Sequence, residues 1–179
     1  MKLRNKIHQD GKWYCEFIKL KDILNEKDFN MLCYFIEEDE ISDAYKIVNK
    51  FAPSFTSVLT MYLIKEHFSP FKFNPLHNME YVPELFLYEA FAEDEVVCVN
   101  DSISEIKDNA FAFCKLKRLI ISKSVQYIGD NALCINAGEI YYEGTKQDFI
   151  DKFLGKSKCF ARTRGQVINC TDGEIEIKK

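Results

Sequence analysis

The sequence predicts an α+β protein, with a mostly helical N-terminal half followed by a short β-solenoid. Three observations carry this. The stretch Val-Cys-Val-Asn-Asp-Ser-Ile-Ser-Glu-Ile-Lys-Asp-Asn-Ala-Phe from Val97 returns 22 residues later as Leu-Ile-Ile-Ser-Lys-Ser-Val-Gln-Tyr-Ile-Gly-Asp-Asn-Ala-Leu from Leu119. Apolar residues between 29 and 63 recur at the intervals of amphipathic helices. At 179 residues and 47% apolar, with 15 Phe and 9 Tyr, the chain can bury a core, which excludes a wholly disordered protein.

Taken in order, Lys12 to Leu20 is rich in aromatic residues and predicts a short strand with Trp13, Cys15 and Phe17 on one face. Asn25 is an N-cap for a helix with Phe29, Leu32, Cys33 and Ile36 inward. Glu37 to Asp43 holds five carboxylates in seven positions and predicts a solvated connection, with Ser42 capping the next helix. Ala44, Ile47, Val48 and Phe51 form that helix's apolar face, and Pro53 ends it. Ser54 then caps a third helix with a stripe of Phe55, Val58, Leu59, Tyr62 and Leu63, stopping near His67. Residues 71–83 predict an irregular connection, and Pro83 to Ala92 a further short helix with Pro83 at its first position. Such stripes are read as core.

In the second half, Ser102 recurs as Ser124, Ile106 as Ile128, and Asp108-Asn109-Ala110 as Asp130-Asn131-Ala132. Self-similarity at a fixed period of about 20 to 29 residues marks a leucine-rich repeat. Leu116-Lys-Arg-Leu-Ile-Ile-Ser-Lys-Ser-Val-Gln-Tyr-Ile-Gly-Asp-Asn-Ala-Leu resembles one unit of the BspA-like leucine-rich-repeat family. Ile140 to Phe149 resembles the segment that closes such arrays, and Asn169 to Ile175 the family's terminal strand. The resemblance covers about residues 95 to 177 and does not reach 1 to 90. Together these readings divide the chain into a mainly helical N-terminal domain, 1–92, and a short repeat domain with a C-terminal cap, 93–179. Short arrays need capping, so the helical domain is expected to pack on one end as a cap, and a short amphipathic helix from Asp148 to Leu154 on the other.

Strand alternation sends Val97 and Val99, Leu119 and Ile121, and Ile140 and Tyr142 inward, the last step being 21 residues. Ile103, Ile106, Val125 and Ile128 fill the opposite wall, and the two Asp-Asn pairs hold the turns through local backbone bonds rather than a metal. The outward positions are Val96, Cys98 and Asn100, then Arg118, Ile120 and Ser122, then Glu139, Tyr141 and Glu143. The resemblance implies partner binding on this strand face. Cys98, Ile120 and Tyr141 form an apolar ladder flanked by Arg118 and Glu139, and an aromatic with an arginine nearby suits a hot spot.

Composition narrows the function. A net charge of -4 argues against general affinity for nucleic acid. No run is long and apolar enough to span a membrane, and no apolar signal core follows the basic start. Seven cysteines without close pairs then read as reduced thiols of a cytoplasmic protein. Scattered His8, His67 and His77, the lack of a Cys-x-x-Cys pair and the lack of a glycine-rich loop give no catalytic, metal or cofactor signature.

The expectation is therefore a non-enzymatic module that binds a protein partner through Cys98, Arg118, Ile120, Glu139 and Tyr141, with no cofactor and no direct nucleic-acid or membrane contact. The alternative rests on charge. Glu80 to Asp108 holds nine acids against one lysine, whereas Lys146 to Arg164 is mainly basic. An acidic band of Glu84, Glu89, Glu93, Asp94 and Glu95 suits a small phage or mobile-element inhibitor of a host nucleic-acid enzyme, anti-CRISPR-like in kind.

Overall fold

In a computed structural model of the chain, residues 12–63, 76, 79–88, 91–161 and 165–177 are described, apart from the side chains of 12–14, 91–95 and 137. All three histidines, the helix end expected near His67, and Arg162 and Arg164 lie outside these residues. The chain divides into two compact units, Met1–Asn78 and Met79–Lys179.

The first unit is helical: α1 (Lys12–Ile18), α2 (Leu20–Ile23), α3 (Glu26–Glu37), α4 (Ile41–Phe51), a 3-10 turn (Pro53–Phe55) and α5 (Thr56–Tyr62). The strand expected over Lys12 to Leu20 is α1. Aromatic residues are context-dependent strand formers, and tertiary packing decides here. Phe17, Leu20 and Leu24 are buried at helical spacing while Cys15 is exposed, so no period-two face exists. Phe17 stacks on Tyr62 at 4.3 Å between ring centres, a contact that anchors α1 to α5.

Helix α3 begins as the sequence requires. The Asn25 side chain accepts a hydrogen bond from the Asp28 backbone N–H at 2.9 Å, and Phe29, Leu32, Cys33 and Ile36 are buried. Its end uses Asp39 in the left-handed region, at φ 63°, with the Glu40 N–H donating to the Phe35 carbonyl at 2.8 Å. This closing turn satisfies the last carbonyls of α3 and leaves Glu38, Asp39 and Glu40 exposed.

The two serine caps are corrected. Helix α4 starts at Ile41 with Glu40 at its cap position, so Ser42 lies within its first turn. Pro53 opens the 3-10 turn and Phe55 precedes α5, so Ser54 sits exposed inside that turn. Ile41 and Ala44 are buried, and this apolar pull sets where α4 begins. Phe51, expected in the core, is exposed at the helix end, with the Lys50 ammonium 4.7 Å from its ring centre. Between α4 and α5 the Tyr45 hydroxyl shares a buried 2.7 Å hydrogen bond with Thr60, which donates in turn to the Thr56 carbonyl.

The second unit passes between two open sheets. One is parallel and three-stranded, in the order β1 (Tyr81–Val82), β3 (Glu105–Ile106), β5 (Tyr127–Ile128). The other runs β2 (Phe91–Val99), β4 (Lys115–Ile121), β6 (Ala137–Tyr142), β7 (Gln166–Cys170), β8 (Gly173–Ile177), all parallel except the closing β7–β8 pair. The protein is thus α+β. Val97, Val99, Leu119, Ile121, Ile140 and Tyr142 point inward, each at most 3% exposed, and face Ile103, Ile106, Val125 and Ile128. Burying whole aliphatic side chains stabilises by roughly 1.5–3 kcal/mol apiece.

Neighbouring turns are joined by side chains as well as backbone. The Asp130 N–H donates to the Asp108 carboxylate at 2.9 Å, and the Lys158 N–H to the Asp130 carboxylate at 3.0 Å. The two aspartates therefore bond the adjacent turn rather than their own. Asn109 and Asn131 take φ of 55° and 56°, a conformation Asn tolerates well. Ser102 and Ser124 repeat the device, donating to the carbonyls of Met79 and Ile103. Gly129 lets neighbouring turns approach closely, since a Cβ there would lie 2.6 Å from the Asp108 backbone nitrogen.

The short helix expected over Pro83 to Ala92 is absent from the described part of that stretch. Residues 84–88 are turns and β2 starts at Phe91. The reason lies in the backbone bonds. Leu87 donates to the Ala110 carbonyl at 2.7 Å, just as Phe111 donates to that of Ala132 at 3.1 Å, and Leu85 takes the φ of 58° that Asn109 takes one turn later. At the other end α6 (Lys146–Phe153) forms where a closing helix was expected, capped by Thr145 and burying Phe149 and Phe153. The segment 169–175, expected as one strand, is instead a hairpin between β7 and β8, with Gly173 at φ 128° on the turn.

Candidate functional site

The outer surface of the five-stranded sheet brings together the five residues singled out for partner binding. Parallel pairing places Cys98 beside Ile120 and Ile120 beside Tyr141, in the 22- and 21-residue steps read from the sequence. Adjacent strands lie about 4.8 Å apart, so the three side chains form one row. Cys98 is exposed, and Ile120 and Tyr141 are half-buried. Val96 extends the apolar surface at 46% exposure.

Below that row Arg118 pairs with Glu139. Its Nε and one terminal nitrogen donate to the same Glu139 oxygen at 2.9 and 2.7 Å, and its guanidinium carbon lies 4.8 Å from the Tyr141 ring centre. The hydrogen bond to Glu139 raises the Arg118 pKa further above neutral pH, so the guanidinium is a fixed cation with its charge answered in place. Of the outward set, Ser122 departs from expectation. It is fully buried, donating to the Asp101 carboxylate and accepting from the Ser124 N–H at 3.1 Å, because it closes the turn after β4.

The face extends further than the repeat alone indicated. Tyr141 is beside Asn169 of β7, which in turn opposes Glu174 of β8, and Val167 opposes Glu176. Val167 is 36% exposed, and the Asn169 amide donates to the Ile140 carbonyl at 3.1 Å, fixing the β6–β7 pair. The available sequence signal was the alternation Gln-Val-Ile-Asn-Cys, with Ile168 the buried member. The acidic-band residues are only partly placed. Glu84 is exposed on a turn, Glu93, Asp94 and Glu95 have their backbone in β2, and their side chains and Glu89 lie outside the described residues.

A second polar cluster lies at the corner between β6 and α6. The Tyr142 hydroxyl donates to the Asp148 carboxylate, and the Lys152 ammonium bonds the Tyr142 oxygen at 3.2 Å, the Lys123 carbonyl at 2.8 Å and Asp148 at 3.1 Å. Burial, then the Asp148 bond, pushes the Tyr142 hydroxyl well above its usual range, so it remains a donor. Burial works against the Asp148 charge, but Tyr142 and Lys152 outweigh it and hold its carboxyl below the ordinary carboxylate range. The cluster is a buttress: every member is spent on holding the helix to the sheet.

The thiols of Cys33 and Cys114 are pushed up to about 12, by burial first, and stay protonated at neutral pH. Among the described residues no three of His, Cys, Asp or Glu are grouped to hold a metal, and no helix is long and apolar enough to cross a membrane. No family model, curated protein or solved structure matches the chain.

Proposed function

We propose that the chain is a non-enzymatic protein-interaction module, a short BspA-like leucine-rich-repeat array that binds a partner protein through Cys98, Arg118, Ile120, Glu139 and Tyr141. The repeated alternation between two sheets at 22- and 21-residue steps supports the array. One observation carries the binding reading. An exposed sheet face holds Ile120 and Tyr141 side by side, with Arg118 already over the tyrosine ring and tied to Glu139. Apolar anchors whose rotamers are fixed in advance lose little entropy when a partner arrives, and aromatic and arginine anchors dominate protein interfaces.

Affinity capture from lysate of the protein's own host, with the tagged chain and its Ile120→Lys, Tyr141→Lys variant side by side, tests the reading. The expected result is a protein retained by the parent at high salt and lost by the variant, with the far-ultraviolet circular dichroism unchanged. Equal retention by both would place binding elsewhere. A nucleic-acid enzyme held only at low salt would favour the acidic inhibitor instead.

A further inference from the structure

The charge around the apolar row is uneven. Arg118 is answered by Glu139. Glu143 follows Tyr141 by two residues on the same outward side, about 7 Å along the strand, and it is exposed. Glu174 stands two strands beyond Tyr141 through Asn169, about 10 Å across the sheet, and is also exposed. Among the described residues no cation lies within ion-pair distance of either carboxylate. Both bracket the tyrosine on the side away from Arg118. The field of Glu143 reaches across the row, since after burial it is the second cause raising the Cys98 pKa.

Resting on the partner-face reading above, we infer that the occupant of this face is a cationic segment of a partner protein, seating an aliphatic or aromatic side chain on Ile120 and Tyr141 and directing lysine or arginine toward Glu143 and Glu174. An acidic occupant would set like charges against two carboxylates that no described cation pairs with. A neutral one would leave them uncompensated as the interface sheds water.

The test uses the full chain immobilised at about 0.15 M salt and a displayed library of random peptides. The enriched sequences are then synthesised and titrated into four proteins: the parent, E143K/E174K, I120S/Y141S, and the charge-matched control E38K/E40K on the helical unit. The expected peptides carry Lys or Arg beside an apolar residue. They lose about tenfold in affinity with E143K/E174K and with I120S/Y141S, and bind the control as they bind the parent. Uncharged or acidic peptides that need Ile120 and Tyr141 but not the two glutamates overturn the cationic partner while leaving the face intact. Peptides indifferent to I120S/Y141S overturn both readings. Cationic peptides weakened equally by E38K/E40K report general attraction to an acidic chain, and that outcome, or no enrichment at all, also overturns the inference.

Discussion

The Arg118 guanidinium carbon lies over the Tyr141 ring, 4.8 Å from its centre, while two of its nitrogens donate to Glu139. A planar, delocalised guanidinium presents its face to the ring and its edge donors to the carboxylate at once. The contact therefore helps hold the Tyr141 ring on the outer sheet face before any partner is present.

Arg118→Lys keeps the charge and removes the planar guanidinium from over the Tyr141 ring. Affinity for the partner is expected to fall about tenfold, as at an interface hot spot. The urea midpoint should stay where it is, because exposed ion pairs add little to stability. Titration calorimetry and urea unfolding on the same preparation check both halves.

Leu119 and Ile120 are chain neighbours on opposite sides of β4, one fully buried and one half-buried on the outer face. Leu119→Ala is expected to cost about 2–5 kcal/mol, the range for a deleted core aliphatic. Ile120→Ala should cost less than about 1 kcal/mol. Chemical denaturation of the two variants measures the difference, and similar losses would mean the strand's two sides are misassigned.

That alternation was legible in the sequence because a strand repeats every two residues and the array every 22 or 21, so one register fixes many side chains at once. Tyr81 and Val82 fall in the stretch 71–83 expected as an irregular connection, yet they form β1 and pair with Glu105 and Ile106. In the turn that follows, Glu84-Leu85-Phe86 stands in place of Asp108-Asn109-Ala110, and Phe86 fills with a ring, set edge-on to Phe111 at 5.7 Å, the place where the next turns carry alanine. A changed size at a conserved shape hides a repeat. Helix α1 departs from the expected strand for a different reason: its aromatic residues favour strands in the abstract, while Phe17 is held by Tyr62, far away in sequence. Ser42 and Ser54 are good caps by type, but buried Ile41 and the proline at 53 set the boundaries first. Of the candidate site, the ladder was readable; Val167, Asn169 and Glu174 required the β7–β8 hairpin to bring them alongside.

Asp130 accepts the Lys158 N–H from the adjoining turn. Asp130→Ala is expected to lower stability by about 1 kcal/mol, the net worth of one hydrogen bond, and Asp130→Asn by less because its carbonyl oxygen still accepts. Thermal unfolding ranks the three proteins. Equal behaviour of alanine and asparagine would deny the side-chain bond between turns a role in stability.

Asp148 supplies a pH dependence with a definite sign. Its folded pKa lies below the ordinary value of 3.8, so the contribution is present in full above that value and is lost as pH falls through the folded pKa. Urea midpoints between pH 7 and pH 3 should therefore fall more steeply for the parent than for Asp148→Asn, which has no carboxyl to protonate. Parallel slopes would remove the Tyr142–Asp148–Lys152 buttress from the acid response.

Cys98 offers the most direct test of the partner face, because it lies in the apolar row and is exposed, as is Cys15 on α1, whereas Cys33 and Cys114 are buried and held near a pKa of 12. Alkylation followed by peptide mass spectrometry, with and without the retained partner, reads the face in the unaltered protein. The partner is expected to slow Cys98 to the rate of the buried thiols and to leave Cys15 unchanged. Cys98 reacting equally fast in free and bound protein would contradict it.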